Sequence, residues 1–219
     1  MDGILIINKP QGITSHDVVD FVRKRFNMKK VGHAGSLDPL ATGVLLILLG
    51  RATRLFNSFT KMDKIYEATL TLGSMTDTGD SCGKIIKTFS CGNITESKIK
   101  EVLEKFIGKM RQVPPMVSAL KYKGKPLYKL ARAGIEVPRS PREITIYEIK
   151  LLEFFMPNIS FEVKCSKGTY VRTLGEDIAS ALGCGGHISK ITRIAIGEFH
   201  IEDSVFLDKI NESHLRAWQ

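Results

Sequence analysis

The segment Val31–Gly43, reading V-G-H-A-G-S-L-D-P-L-A-T-G, carries one carboxylate, Asp38, set between Leu37 and Pro39. His33 and the glycines Gly32, Gly35 and Gly43 surround it, and the basic pair Lys29 and Lys30 stands just upstream. No hydrophobic period runs through the segment, which marks it as a turn or as a loop that carries chemistry. An ionised carboxylate there can attack as a nucleophile or accept a proton. Asp38-Pro39 is also a standard helix start, with Asp as N-cap and Pro at the first helical position. On those residues alone the helix cap outweighs catalysis, so residues elsewhere must decide.

The rest of the composition narrows the partner. The chain has 219 residues, 43% hydrophobic and 25% charged, which suits one α/β domain with a sizeable core. Its 32 Lys and Arg against 23 Asp and Glu give a net charge of +9, and proteins this basic usually meet a polyanion, nucleic acid above all. The longest apolar run, Val44–Leu49, is far short of the ~18–20 residues of a membrane span. The N-terminus lacks the basic region of a signal peptide, so a cytoplasmic protein with no membrane partner is expected. Cys82, Cys91, Cys165 and Cys184 form no C-x-x-C pair and have no histidine at ligand spacing. We therefore expect free thiols, no metal and no disulfide.

The elements that must position Asp38 follow from periodicity. Gly3–Asn8 reads as a strand, and Thr14 or Ser15 caps a helix with Val18, Val19, Val22 and Phe26 on one face. Val44–Leu49 reads as a buried strand, and Lys64–Leu72 alternates with Tyr66 on its apolar side, where a tyrosine is ordinarily core. Thr95 caps the clearest helix, which Gly108 is expected to end. Residues 110–140 interleave Lys121, Lys123, Lys125, Lys129 and Arg132 with Tyr122 and Tyr128, a pattern suited to exposed bases or to a solvated arm. Ile144–Phe155 and Ile159–Cys165 form a hairpin, Thr173 and Glu176 a capping box, Gly185–His187 a loop, and Ile191–Phe199 a last strand.

Several motifs are met in order along the chain. Lys9-Pro10-x-Gly12-x-Thr14-Ser15, Gly32-His33-x-Gly35-x-Leu37-Asp38-Pro39-x-Ala41-Thr42-Gly43 and Lys64-x-Tyr66 are followed by Thr76-Asp77-Thr78 with Asp80. Then come Pro114-Pro115-x-x-Ser118-Ala119-x-Lys121 and Gly168-Thr169-Tyr170-x-Arg172 with Glu176-Asp177. Together they resemble the TruB-type bacterial tRNA pseudouridine synthases. The resemblance implies an α/β (α+β type) pseudouridine synthase fold, with a mixed, mainly antiparallel central sheet flanked by helices and loops. It implies isomerisation of the T-arm uridine at position 55 of tRNA, with no cofactor and no metal, by a monomer. Asp38 matches the family's catalytic aspartate, Tyr66 the tyrosine that stacks on the base, and Arg172 the arginine paired with the aspartate. His33 matches the histidine that fills the place of the flipped base, a wedge rather than a general base. Tyr170, Gly32, Gly35, Lys9, Lys121, Lys64, Ile191 and Arg193 fall on motif positions expected to face RNA, and 110–140 on the insertion that closes over it.

Two departures accompany the resemblance. The family usually carries a C-terminal PUA domain, and this chain reads as a single catalytic domain, 1–219, without one. Ile191-Thr192-Arg193 stands where Leu-Arg-Arg is common, so Thr192 is expected to drop a phosphate contact. Two other readings remain open at this stage: a non-catalytic RNA-binding or tRNA-folding protein, and a pseudouridine synthase acting on another RNA.

Overall fold

The computed structural model describes residues 1–218. They form two compact units, one made of Met1–Glu67 with the chain from Lys190 on, the other of Ala68–Ser189. The chain opens with β1 (Gly3–Lys9), whose Ile4, Leu5, Ile6 and Ile7 are all buried, as expected of a strand covered on both faces. Thr14 then caps α1 (Ser15–Arg25) through a full capping box with Asp17, and Val18, Val19 and Val22 form its buried stripe. β2 (Val31–Ala34) leads into the irregular segment that carries Asp38, and β3 (Thr42–Leu49) leaves it. No helix begins at Asp38-Pro39. A single turn closes there, the Ala41 N–H donating to the Asp38 carbonyl at 3.0 Å, and it feeds a strand.

A 3-10 turn precedes α2 (Phe56–Lys61), and β4 (Lys64–Leu72) follows with Lys64, Tyr66, Ala68, Leu70 and Leu72 all on its buried side. β5 (Ser74–Thr76) and β6 (Ile85–Thr88) make a small hairpin, and Thr95 caps α3 (Glu96–Glu104). This helix ends at Glu104, earlier than expected. Gly108, at φ +112°, does not end it but opens β7 (Gly108–Gln112). Met110–Gln112 thus belong to a sheet strand, and the excursion from it begins after them. Within the excursion, β8 (Lys121–Tyr122) and β9 (Lys125–Pro126) form a minimal hairpin before α4 (Leu127–Arg132).

β10 (Arg142–Phe155) and β11 (Asn158–Cys165) are the expected hairpin. α5 (Val171–Ala181) starts two residues before Thr173, so no capping box forms. The Thr173 hydroxyl is buried with no hydrogen-bond partner, and Tyr170 stands at the N-cap position without a side-chain cap bond. β12 (Gly186–Ile196) takes in Gly186 and His187, which spacing had placed in a loop, and β13 (Phe199–His200) and β14 (Val205–Phe206) close the chain. In the first unit the strand order is β14-β1-β3-β12, with β2 sharing β3's edge with β12; in the second, β4, β11, β10 and β7 lie side by side. Strand pairing is mixed in the first unit, with antiparallel β1–β3 and parallel β3–β12, and antiparallel at β10–β11 in the second.

The expectation of four reduced thiols is corrected. Cys91 and Cys184 form a disulfide across 93 residues of sequence, their Cα atoms 5.4 Å apart. Within the second unit the segment before α3 meets the turn after α5, a proximity that cysteine spacing does not encode. No helix among the described residues is long and apolar enough to cross a membrane.

Candidate active site

The Asp38 loop is fixed by backbone bonds on both sides of the carboxylate. The Ser15 hydroxyl, at the start of α1, accepts from the Leu37 N–H at 2.8 Å and donates to the Leu37 carbonyl at 3.2 Å. Gly12 donates its N–H to the Pro39 carbonyl at 2.8 Å. Arg193, only 1% exposed, spends its guanidinium on the same loop, reaching the carbonyls of Gly35 at 2.8 Å, Ser36 at 3.3 Å and Val44 at 2.8 Å. Gly35 sits at φ +82°, a conformation that side chains with a Cβ resist, so the loop's bend needs a glycine. A half-buried Asp38 carboxylate is therefore carried by a backbone with little freedom.

Lys9 is close enough to feel the Asp38 charge. Register places Lys9 of β1 and Arg193 of β12 on either side of Gly43. Lys9 is wholly buried, its Nζ donating to the Pro10 carbonyl at 2.8 Å and the Ile13 carbonyl at 2.7 Å. Burial pushes the Lys9 ammonium down to about 8; the Asp38 charge opposes this and Arg193 adds to it. His33 lies on β2 opposite Ile47. Burial, then the Arg193 and His16 charges, hold its imidazole below the ordinary range, so the ring is neutral at physiological pH. Its Nδ1 is buried without a hydrogen-bond partner.

The remaining predicted residues of this unit divide. Gly32 faces open space, so nothing of the protein obstructs an approaching ligand there. Tyr66, 9% exposed, projects from β4's buried side. Lys64 is buried, with Nζ on the carbonyls of Thr60 and Met62 at the end of α2, and Ile191 is buried on β12. Lys9, Lys64 and Arg193 thus serve the backbone through their charged ends.

In the second unit, Arg172 is 4% exposed on the first turn of α5. Its guanidinium donates to the carbonyls of Thr78 at 2.7 Å and Val117 at 2.8 Å, and lies 3.8 Å from the Asp80 carboxylate. Thr78 in turn donates to that carboxylate at 2.7 Å. Tyr170 is gripped by a residue that spacing did not single out. The buried Gln112 amide accepts from the Tyr170 N–H at 2.8 Å and donates to its carbonyl at 3.1 Å. Ser15, a cap candidate and motif position by sequence, holds a loop 22 residues away, a partnership that spacing does not encode. Burial, then Asp177, raises the Glu176 carboxyl; Arg172 partly offsets this and Asp80 adds to it. Lys121 is exposed on the β8–β9 hairpin. No cluster of metal-ligating side chains occurs among the described residues.

Family models and curated relatives match most of the chain. Residues 23–171 match the family model for the TruB family pseudouridylate synthase N-terminal domain, and residues 172–218 that for the tRNA pseudouridylate synthase B C-terminal domain. The tRNA pseudouridine synthase B of Syntrophotalea carbinolica is 51% identical over 96% of this chain and 69% of its own length. That of Opitutus terrae is 44% identical over 96% of this chain and 87% of its own. Among solved structures, a Cbf5-Nop10-Gar1 complex contains a chain that superposes with a TM-score of 0.73 at 32% identity, over 94% of this chain and 52% of that one. An H/ACA RNP bound to a substrate RNA containing 2'-deoxyuridine gives a TM-score of 0.71 at 28% identity, over 97% of this chain and 57% of that one. The chain spans about half the length of those solved chains. With two thirds of its length under one family model and a relative at 51% identity, the chain belongs to the TruB family of pseudouridylate synthases.

Proposed function

We propose that this protein isomerises uridine to pseudouridine in the T arm of tRNA, at position 55, acting as a cytoplasmic monomer without cofactor or metal. The observation that carries the reading is the Asp38 carboxylate, set on an immobilised loop among Lys9, His33 and Arg193.

The reaction breaks the N1–C1′ bond and joins C5 to C1′; a proton leaves C5 and another is gained at N1, so composition does not change. The enzyme must first take the nucleotide out of its stack, at a cost of a few kcal/mol that is smaller in a loop than in a duplex. Stacking on Tyr66, worth ~1–3 kcal/mol, offsets that cost, and His33 fills the place the base vacates. Asp38 then acts on the nucleotide, by attack or by taking a sugar proton. Arg172 is the proposed guanidinium of the reaction, the role that its motif position gives it in the family. Tyr170 and the 110–140 segment with Lys121 contribute RNA contacts. Turnover of an unmodified tRNA transcript, followed by nucleoside analysis and position mapping, tests the proposal. Pseudouridine at position 55 is the expected product; unmodified RNA after prolonged incubation, with tight binding retained, would make the protein an RNA binder only.

A further inference from the structure

The run Arg23-Lys24-Arg25-Phe26-Asn27-Met28-Lys29-Lys30 holds five cations and no acid, and the chemistry at Asp38 employs none of them. α1 ends inside it. Asn27 takes the left-handed conformation at φ +49°, which asparagine tolerates better than most residues, and the chain reverses there. Bonds from the Met28 N–H to the Arg23 carbonyl at 2.9 Å and from the Asn27 N–H to the Lys24 carbonyl at 3.3 Å fix the reversal. Across the turn lies an open, shallow depression of about 460 Å³ lined by Arg23, Lys24, Asn27, Met28 and Lys29.

Arg23 is anchored from two sides, to Asp20 at 3.0 Å and to the Val31 carbonyl at 3.1 Å, while its Nε is buried with no hydrogen-bond partner. Lys24 and Lys29 are exposed and make no side-chain hydrogen bond or ion pair among the described residues. Cations in a helix's last turn balance its dipole, which accounts for Arg23, Lys24 and Arg25. Lys29 and Lys30 lie beyond the helix, and neither is explained that way. Lys24 and Lys29 present their charges to solvent at the rim of this depression, where a phosphate could take the place of water.

We propose that this basic turn is a second RNA contact, which takes the phosphodiester backbone away from the reacting nucleotide. β2 joins it directly to the Asp38 loop, and four strand residues span about 13 Å, so one RNA can reach both. The proposal rests on the reading of the chain as an RNA-modifying enzyme.

Its test is the Lys24→Ala/Lys29→Ala double variant, which removes charge without touching the bonds of the reversal. Binding of an unmodified tRNA transcript is measured between about 0.05 and 0.5 M salt. Loss of two phosphate contacts should shrink the slope of log Kd against log salt by about 1.5 and raise Kd near 0.1 M roughly tenfold. kcat at saturating RNA should stay within about twofold. An unchanged slope and Kd overturn the proposal, as does unchanged RNA binding with weakened binding to phosphatidylserine vesicles, which would make the turn a membrane contact. The binding readout needs no turnover, so a wild-type chain that binds RNA but forms no pseudouridine defeats the functional reading alone.

Discussion

The role proposed for Asp38 depends on groups that hold its loop in place. Ser15 holds the peptide before it and Gly12 the peptide after it, while Arg193 collects three carbonyls from the flanking chain. Replacing the carboxylate by an amide preserves shape and removes the charge, so Asp38→Asn should lower the single-turnover rate at least ~100-fold with RNA Kd within about twofold. Near-normal turnover would remove Asp38 from the chemistry. Arg193→Lys tests the support. A lysine cannot reach three carbonyls at once, and leaving buried acceptors unpaired costs ~1–3 kcal/mol. Thermal unfolding should drop by about 2–12 °C. If Arg193 instead contacts phosphate, the variant should weaken RNA binding at unchanged melting temperature. From the residues alone Asp38-Pro39 read better as a cap than as a reaction centre, and only the family motif reversed that order. A cap and a reactive loop share the same residue types, and the decisive bond partners, Ser15 and Arg193, lie 22 and 157 residues away from theirs.

At the scale of elements, the strands with strong apolar runs or alternation were legible, because burial on one or both faces fixes such patterns by itself. β1, β3, β4 and the β10–β11 hairpin lie where periodicity puts them. What failed was local punctuation overridden by tertiary contacts. Gly108 looked like a helix stop but opens an edge strand, and Thr173-x-x-Glu176 looked like a capping box although Gln112, from β7, supplies the bonds at the start of α5. The β1–β3–β12 register has a measurable electrostatic consequence, because it buries Lys9 beside Arg193 across Gly43. The folded state holds the Lys9 ammonium near about 8, below its ordinary 10.5. A base whose folded value is depressed destabilises the fold while protonated. That cost is fully present below pH 8 and is relieved as pH rises from 8 to 10.5. Between these limits wild-type unfolding free energy should gain up to about 3 kcal/mol that the Lys9→Met variant lacks. Denaturant midpoints of the two proteins measured across that range check this, and parallel pH profiles would mean that Lys9 is neutral or well hydrated.

For the whole molecule, the covalent link is the feature that the sequence concealed most completely. Four cysteines with no metal spacing in a chain read as cytoplasmic favour thiols, and that inference is sound until the fold brings two of them together. Cys91 and Cys184 lie 93 residues apart in the second unit and enclose α3, the β7–β10–β11 strands, the Lys121 hairpin and the start of α5 with Tyr170 and Arg172. A link across so long a loop restricts the unfolded chain far more than the folded one, a contribution of ~2–5 kcal/mol. Reduction should therefore lower the unfolding temperature by roughly 5–15 °C. Differential scanning calorimetry with and without reductant checks it, with thiol titration to confirm that the bond was formed and then broken. The Cys91→Ser/Cys184→Ser variant should unfold where the reduced wild type does and should not respond to reductant. If oxidised and reduced wild type melt together, the two segments are held side by side by packing alone, and the sulfur–sulfur bond adds nothing to the unit that carries Arg172.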